Sequence, residues 1–289
     1  MLPDRVVASV PVPGGITDTI WRVTLADGGH VILRWVEPER FGPDGRQFVV
    51  REALGCRLTA DAPLPSPRLI ASDPDGAATG GWANLTTFRP GRVRLEGLGP
   101  AAVVALAGLA LRVHAVQVAT PADQPPPYTF WGAEPPAVPV WASRPQLWEE
   151  AIERVLAPVP PTPTGLIHRD FHPGNTLWQG DVVTGLIDWA ETAWGPPDLD
   201  VAHACSNFAM LQSVESAVAF RAAYLAQGGT LDPDPDVRAY WQLRDICGFL
   251  PDPAPVVVAL TRRRPDLELD GVRRRLEDLM AQALSSLSL

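Results

Sequence analysis

Residues 165–200 read GLIHRDFHPGNTLWQGDVVTGLIDWAETAWGPPDLD, and the interpretation of the whole chain turns on this stretch. A short apolar strand over 165–168 runs into a polar loop that carries His168, Arg169, Asp170, His172 and Asn175. A second strand, 182–187, follows the turn Gln179-Gly180-Asp181 and stops at Asp188. Glycine in a turn between β-rich runs is a hairpin signal. Closing that hairpin would bring Asn175 and Asp188 to one end of it, and Asp170 stands five positions before Asn175.

These residue types suit one kind of chemistry. Moving a phosphoryl group requires a polyphosphate to be neutralised, and Mg2+ prefers hard oxygen ligands. One carboxylate (Asp188) and one amide oxygen (Asn175) can hold the metal and leave room for phosphate oxygens and water. A second carboxylate, Asp170, can orient a hydroxyl and accept its proton, while positioning and electrostatics supply the rest. The spacing fits the template H-R-D-x-x-x-x-N followed by a metal-binding aspartate. Taken singly, each residue is an ordinary turn former or cap. The joint spacing, with strands on both sides, favours the chemical reading. His168 and His172 also have the i, i+4 spacing of a zinc pair, but Pro173-Gly174 puts them on a loop and no glutamate follows His168. His168 is therefore read as a structural hydrogen-bonding residue.

Working back towards the start, residues 5–36 read as a three-stranded meander: 5–12, 20–25 and 30–36, the last two joined by Asp27-Gly28-Gly29. Over 46–60 the period becomes helical, with Val49, Ala53, Cys56 and Ala60 on one face. Two more strands are expected near 67–72 and 82–88. Phe88-Arg89-Pro90-Gly91 then breaks the pattern. The chain accordingly divides into an N-terminal nucleotide-binding lobe, 1–91, and a helical C-terminal catalytic and substrate-binding lobe, 92–289. Arg34 shares its strand face with Ile32 and Val36. Glu52 falls between Val49 and Cys56 on the apolar face of the helix. A carboxylate there needs a partner, and Arg34 is the obvious one. Each alone would be a solvated surface charge; as a strand-to-helix pair they point to function.

Beyond the break, residues 100–117 are apolar on nearly all sides, as in a buried helix. Residues 118–142 are proline-rich but carry Tyr128, Phe130, Trp131 and Trp141, so an ordered loop is expected. Ser143 with Gln146 resembles a capping box for a helix to about Leu156. Further helices are expected near 198–211, 213–227, 235–248 and 270–286, with Gly228 stopping the second of them.

Composition narrows the partners. The net charge of −9 disfavours nucleic acid and suits a cationic substrate, although it is also an ordinary solubility feature. All 24 basic residues are arginine, which excludes lysine-dependent phosphate loops and Schiff bases. No window approaches the roughly 18 apolar residues of a membrane span. The N-terminus lacks the basic and apolar regions of a signal peptide. Three scattered cysteines, Cys56, Cys205 and Cys247, read as buried free thiols, and the expected location is the cytoplasm.

The stretch "HRDFHPGNTLW", followed by "GLIDWAETAWGPPDLDVAHA", resembles the aminoglycoside phosphotransferase and choline kinase family. Weaker similarity covers "VPGGITDTIWRVTLADGGHVILRWV", "VREALGCRL" and "TTFRPGR". The resemblance implies an α+β, protein-kinase-like two-lobed fold with an antiparallel-sheet N-lobe and a mainly helical C-lobe. It implies ATP (or GTP) and Mg2+ as cofactors, Asp170 as catalytic base, and Asn175 and Asp188 as metal ligands. Gly14, Gly15 and Thr17 would cover the nucleotide phosphates, although Gly-Gly alone is equally a hairpin turn. Arg34 with Glu52, and the hinge residues Thr87 and Phe88, complete the nucleotide side. Asp200 would anchor the catalytic loop. Glu191, Asp198, Trp189 and Trp194 could hold a cationic substrate or simply pack and cap a helix start. The implied activity is transfer of the γ-phosphoryl group to a small-molecule hydroxyl, on an antibiotic, amino alcohol or sugar; the alternative is a non-catalytic nucleotide-binding scaffold.

Overall fold

A computed structural model describes residues 4–12, 19–42, 45–130, 135–249 and 252–286. The chain forms two compact units. The first comprises 1–93, 118–125 and 175–193, and the second 94–117, 126–174 and 194–289. The break expected at Gly91 falls close to the first crossing, and the hairpin ending in Asp188 groups with the N-terminal residues.

In the first unit, strands β1 (Val6–Pro11), β2 (Thr19–Leu25), β3 (His30–Val36), β4 (Leu69–Asp73) and β5 (Trp82–Thr87) build one sheet in the order β1-β2-β3-β5-β4. Every neighbouring pair is antiparallel. Strand alternation gives the sheet two different faces. Val23, Leu25, Val31 and Leu85 form an apolar cluster on one of them, joined by Trp21 and Leu33. The opposite parity carries Arg34, paired in register with Asn84 of β5. Helix α2 (Gly45–Leu58) packs on this side and buries Val49, Glu52, Ala53 and Cys56; the short α1 (Pro38–Phe41) precedes it. A three-stranded sheet, β6 (Arg92–Val93), β8 (Thr176–Gln179) and β9 (Val182–Leu186), completes the unit. The β8–β9 turn at Gly180 has φ +58°, which glycine adopts without strain.

The second unit is helical around α5 (Pro197–Leu211), which is buried from Asp198 to Leu211. Helices α3 (Pro100–His114), α6 (Val214–Ala226), α7 (Pro235–Phe249) and α9 (Leu269–Ser285) pack against it, α4 (Pro145–Leu156) packs on α7 and α9, α8 (Ala254–Thr261) packs on α9, and strands β7 (Gly165–Ile167) and β10 (Ala193–Gly195) pair. Gly228 follows α6 at φ +90° and ends it as expected. The proline-rich loop is ordered where described: Tyr128 packs edge-on against Trp241, and Trp141 against Trp148; Trp131 lies outside the described residues.

The capping box does not form. Helix α4 starts at Pro145 without a side-chain cap. The Ser143 hydroxyl donates instead to Glu277 of α9, which also accepts the Ser143 N–H at 2.9 Å and the Trp148 indole N–H at 3.1 Å. A buried carboxylate needs all of these donors, and it outcompetes a local cap. Helix α8, β6 and β10 were not foreseen; the last two are too short to carry a period.

Trp189 and Thr192, just past Asp188, press against Gly55 of α2. A Cβ on Gly55 would stand 2.5 Å from the Thr192 hydroxyl and 2.9 Å from Trp189 Cβ. Gly55→Ala should therefore destabilise by about 1–3 kcal/mol through overpacking, read as a lowered urea midpoint with an unchanged slope.

Candidate active site

Arg34 organises the polar side of the first unit. It leaves β3 among side chains that exclude water and is only 5% exposed. Its Nε donates to Glu52 Oε1 at 2.9 Å, and its Nη2 to Asp188 Oδ1 at 3.0 Å. The strand-to-helix pair read from the sequence is present, and Asp188 is a second partner the sequence did not reveal. The Asn84 amide donates to Glu52 Oε2 at 2.8 Å and to the Val49 carbonyl at 2.8 Å, fixing the glutamate to both sheet and helix. Burial pushes the Glu52 carboxyl up, against the pull of Arg34 and Asn84. An arginine is suited to this place because its fork serves two carboxylates at once and keeps its charge when buried.

Asn175 and Asp188 stand at the same end of the β8–β9 hairpin. Thr176 pairs with Leu186, and the next step out, the Ile187 N–H donates to the Asn175 carbonyl at 2.9 Å. Asp188 has φ +66° and ψ +61°, a left-handed conformation uncommon outside glycine. Such strain persists only where surrounding contacts impose it, and it collects at functional sites. The Asp188 carboxylate is about one-third exposed, so a cation can reach it. One carboxylate and one carboxamide oxygen, both hard donors, suit Mg2+, which keeps most of its coordination for water and phosphate. Among the described residues no group of three or more His, Cys, Asp or Glu could hold a metal by itself.

The remaining nucleotide-side residues divide. Gly14, Gly15 and Thr17 lie outside the described residues. Thr87 closes β5, where its N–H donates to the Arg68 carbonyl and its hydroxyl accepts the Arg68 N–H, each at 2.9 Å. Phe88 meets His30 edge-on.

In the second unit, Asp200 holds the loop that carries Asp170. It accepts the backbone N–H groups of His168 at 2.8 Å and Arg169 at 2.7 Å, and lies 3.2 Å from His114 Nε2. Burial opposes its charge, yet the His114 and His168 contacts hold its carboxyl below the usual range. Those bonds pin Arg169 at φ +70°; among the described non-glycine residues only Arg169 and Asp188 have positive φ. The Arg169 side chain turns away from Asp170, to Asp245 at 3.3 Å and over the Tyr128 ring. Asp170 faces histidines instead: His203 Nε2 at 3.1 Å and His172 Nε2 at 3.7 Å. Burial would raise the Asp170 carboxyl, but the two histidines hold it well below its ordinary value.

Sequence reasoning missed His203 and Asp245. A signal was present: His203, Ser206 and Asn207 interrupt the apolar run that follows Asp200 in α5 at helical spacing, so they share one face. Two of the four substrate candidates are corrected. Trp189 is fully buried and donates its indole N–H to the Leu186 carbonyl, so it packs the core. Asp198 is buried and accepts the Asp232 N–H, tying down the loop before α7. Glu191 lies 3.6 Å from Arg51 of α2, and Trp194 is half-buried, with backbone bonds to Pro126 and Tyr128.

A five-stranded antiparallel sheet with a buried arginine–glutamate pair in one unit and a helical second unit are the architecture of a kinase-like fold. Residues 9–241 match the model of the phosphotransferase enzyme family, and the chain belongs to that family of small-molecule kinases. No curated protein matches the sequence. Solved structures share the fold. The macrolide 2'-phosphotransferase MphH of Brachybacterium faecium is 18% identical with a TM-score of 0.57, the alignment covering 98% of this chain and 93% of that one. The amicoumacin kinase hAmiN, in complex with AMP-PNP, Ca2+ and Ami, is 16% identical with a TM-score of 0.61, covering 96% and 89%. A thermostable mutant of aminoglycoside phosphotransferase APH(4)-Ia, in ternary complex with ADP and hygromycin B, is 17% identical with a TM-score of 0.61, covering 96% and 94%. The three cysteines are free and buried, and no helix among the described residues is long and apolar enough to cross a membrane.

The Asp170–His203–Asp245 cluster makes stability pH-dependent. Burial opposes the charge of His203, but Asp245 and Asp170 raise it from 6.5 to about 9. Its contribution is complete below pH 6.5 and is lost as pH rises through about 9; the span corresponds to roughly 3 kcal/mol. The depressed aspartates act in the other direction. Their contribution is present above about pH 3.8 and is lost as pH falls through the lower folded values. Chemical unfolding across pH should show both losses, and Asp245→Asn should flatten the alkaline one.

Proposed function

We propose that the protein transfers the γ-phosphoryl group of ATP to a hydroxyl of a small molecule, with Asp170 as general base and Asn175 and Asp188 as ligands of the nucleotide's Mg2+. The observation that carries this reading is the Asp188 carboxylate, held by Arg34 at the end of the hairpin that also presents Asn175. Arg34 orients the metal-binding carboxylate, and Glu52 orients Arg34. Bound there, Mg2+ would supply charge neutralisation on the phosphates. Gly14, Gly15 and Thr17 belong to the phosphate cover in this reading, and Thr87 and Phe88 to the hinge that meets the base.

Asp170 then acts on the acceptor. Its carboxylate stays ionised near neutrality, so it can orient an alcohol and take its proton as the oxygen attacks phosphorus. A depressed carboxyl is a weak base in the ground state. Its contribution is therefore greatest in orienting the hydroxyl, and proton transfer becomes favourable only as the alcohol acidifies on bonding to phosphorus.

The acceptor class is a hydroxylated compound of antibiotic or amino-alcohol type. Support comes from the similar structures, which bind or act on an aminoglycoside, a macrolide or amicoumacin. A net charge of −9 favours cationic members of that class. Glu191 and Trp194 remain the residues for a cation to meet, and adenine nucleotide is favoured over GTP as donor on the support of the AMP-PNP and ADP complexes among the similar structures.

Screening purified protein for ADP release with Mg2+ against aminoglycosides, macrolides, amino alcohols and sugars tests the reading. Turnover with at least one class is expected. With that acceptor, Asp170→Asn should lower kcat by about 10² or more and leave ATP affinity within about twofold. Near wild-type turnover in this variant would remove the base assignment; nucleotide binding without any acceptor would favour a scaffold.

A further inference from the structure

We infer that His203 is a positioning residue for phosphoryl transfer: anchored to α7 through Asp245, it fixes the Asp170 carboxylate and lays a positive charge against it. The inference rests on the reading of Asp170 as the base.

The geometry sets the charge. His203 is fully buried. Its Nδ1 lies 3.0 Å from Asp245 Oδ1 and its Nε2 3.1 Å from Asp170 Oδ1. A neutral imidazole donates from one nitrogen only, so serving both carboxylates takes the imidazolium, with the Asn207 amide nitrogen beside Nε2 donating to the His203 carbonyl at 3.0 Å. The groups facing the ring come from three elements: Asp170 and His172 from the loop, Asp245 from α7, and Asn207, one turn along α5, at 3.1 Å. Asp245 is itself held by Arg169 at 3.3 Å and by the Ser206 hydroxyl at 2.7 Å. Gln242 donates to Ser206 at 3.0 Å and accepts from Arg221 at 2.9 Å, so the far end of the chain is fixed as well.

Two consequences follow for the reaction. A short aspartate side chain on a loop has rotational freedom, and the bond from His203 to Oδ1 restricts it, so the carboxylate is held in one direction before an acceptor hydroxyl arrives. The cation also keeps Asp170 ionised in acid and sets an alkaline limit on activity, because loss of the His203 proton leaves two buried carboxylates sharing one donor. The raised His203 and depressed Asp170 agree with this arrangement.

The experiment measures kcat against pH for wild type, His203→Gln, Asp245→Asn and Asp170→Asn with an acceptor that wild type turns over. His203→Gln should lower kcat by about 10- to 100-fold with KM for ATP within about twofold, a loss of orientation rather than of binding. Its acidic limb should move up by about one pH unit or more, and the alkaline limb near pH 9 should disappear. Asp245→Asn should shift the alkaline limb down, because one of the two anions holding the His203 proton is gone. A His203→Gln enzyme that melts earlier but keeps the wild-type kcat and acidic limb, beside an inactive Asp170→Asn, would overturn the inference and leave the base reading intact. Wild-type turnover in Asp170→Asn would overturn the base reading itself. Should His203→Gln fail to fold, NMR titration of the wild-type imidazoles decides: one buried histidine should titrate near 9 and fall in Asp170→Asn, and titration of every histidine near 6.5 would overturn the inference.

Discussion

A single guanidinium holds the polar side of the first unit together. Arg34 is buried on a strand, and a buried cation is tolerable only when its donors are matched. Glu52 from the helix and Asp188 from the hairpin supply that match at 2.9 and 3.0 Å. The chain has thus placed three distant segments around one charge. Removing either carboxylate would leave the arginine short of a partner, so structure and chemistry share a constraint here. The absence of lysine from the chain makes this residue type unavoidable, and its fork makes it useful. A point-charge ammonium has no planar fork with which to hold two carboxylates in fixed directions.

The second unit solves a related problem with histidine in place of arginine. Its charge balance is local: Asp200 fixes the backbone of the loop, and His203 meets the side chain of Asp170. Both lie on α5, one turn apart, so one rigid helix sets loop conformation and carboxylate direction together. Arg169, adjacent to Asp170 in sequence, is drawn off to Asp245 and Tyr128 by its left-handed backbone. The partner next to Asp170 is therefore supplied from the helix and not from the neighbouring residue.

Much of this was legible in the sequence, for identifiable reasons. The Asp170, Asn175 and Asp188 spacing is local, so it survives without tertiary information. Arg34 and Glu52 could be paired because each sat on an apolar face where an unpartnered charge is costly. The third partner, Asp188, lies 154 positions from Arg34, and nothing in strand or helix periodicity links them. Ser143 misled because Ser-x-x-Gln is a local signal, whereas its true partner Glu277 lies 134 positions away. Trp189 misled because an aromatic beside a metal strand reads as a ligand platform until Gly55 is seen to make room for it. His203 was overlooked because a lone histidine in an apolar helix has no spacing motif, only a face shared with Ser206 and Asn207.

The central claim is that Arg34 presents Asp188 to the metal of a nucleotide. Calorimetric titration of ATP into the protein, with Mg2+ and then with EDTA, tests it most directly when repeated on Asp188→Asn. The account predicts binding at least about tenfold tighter with Mg2+ in the wild type, and loss of that metal dependence in the variant, since the amide contributes no charge to a hard cation. Equal affinity with and without Mg2+ in the wild type, or an undiminished metal effect in Asp188→Asn, would contradict it.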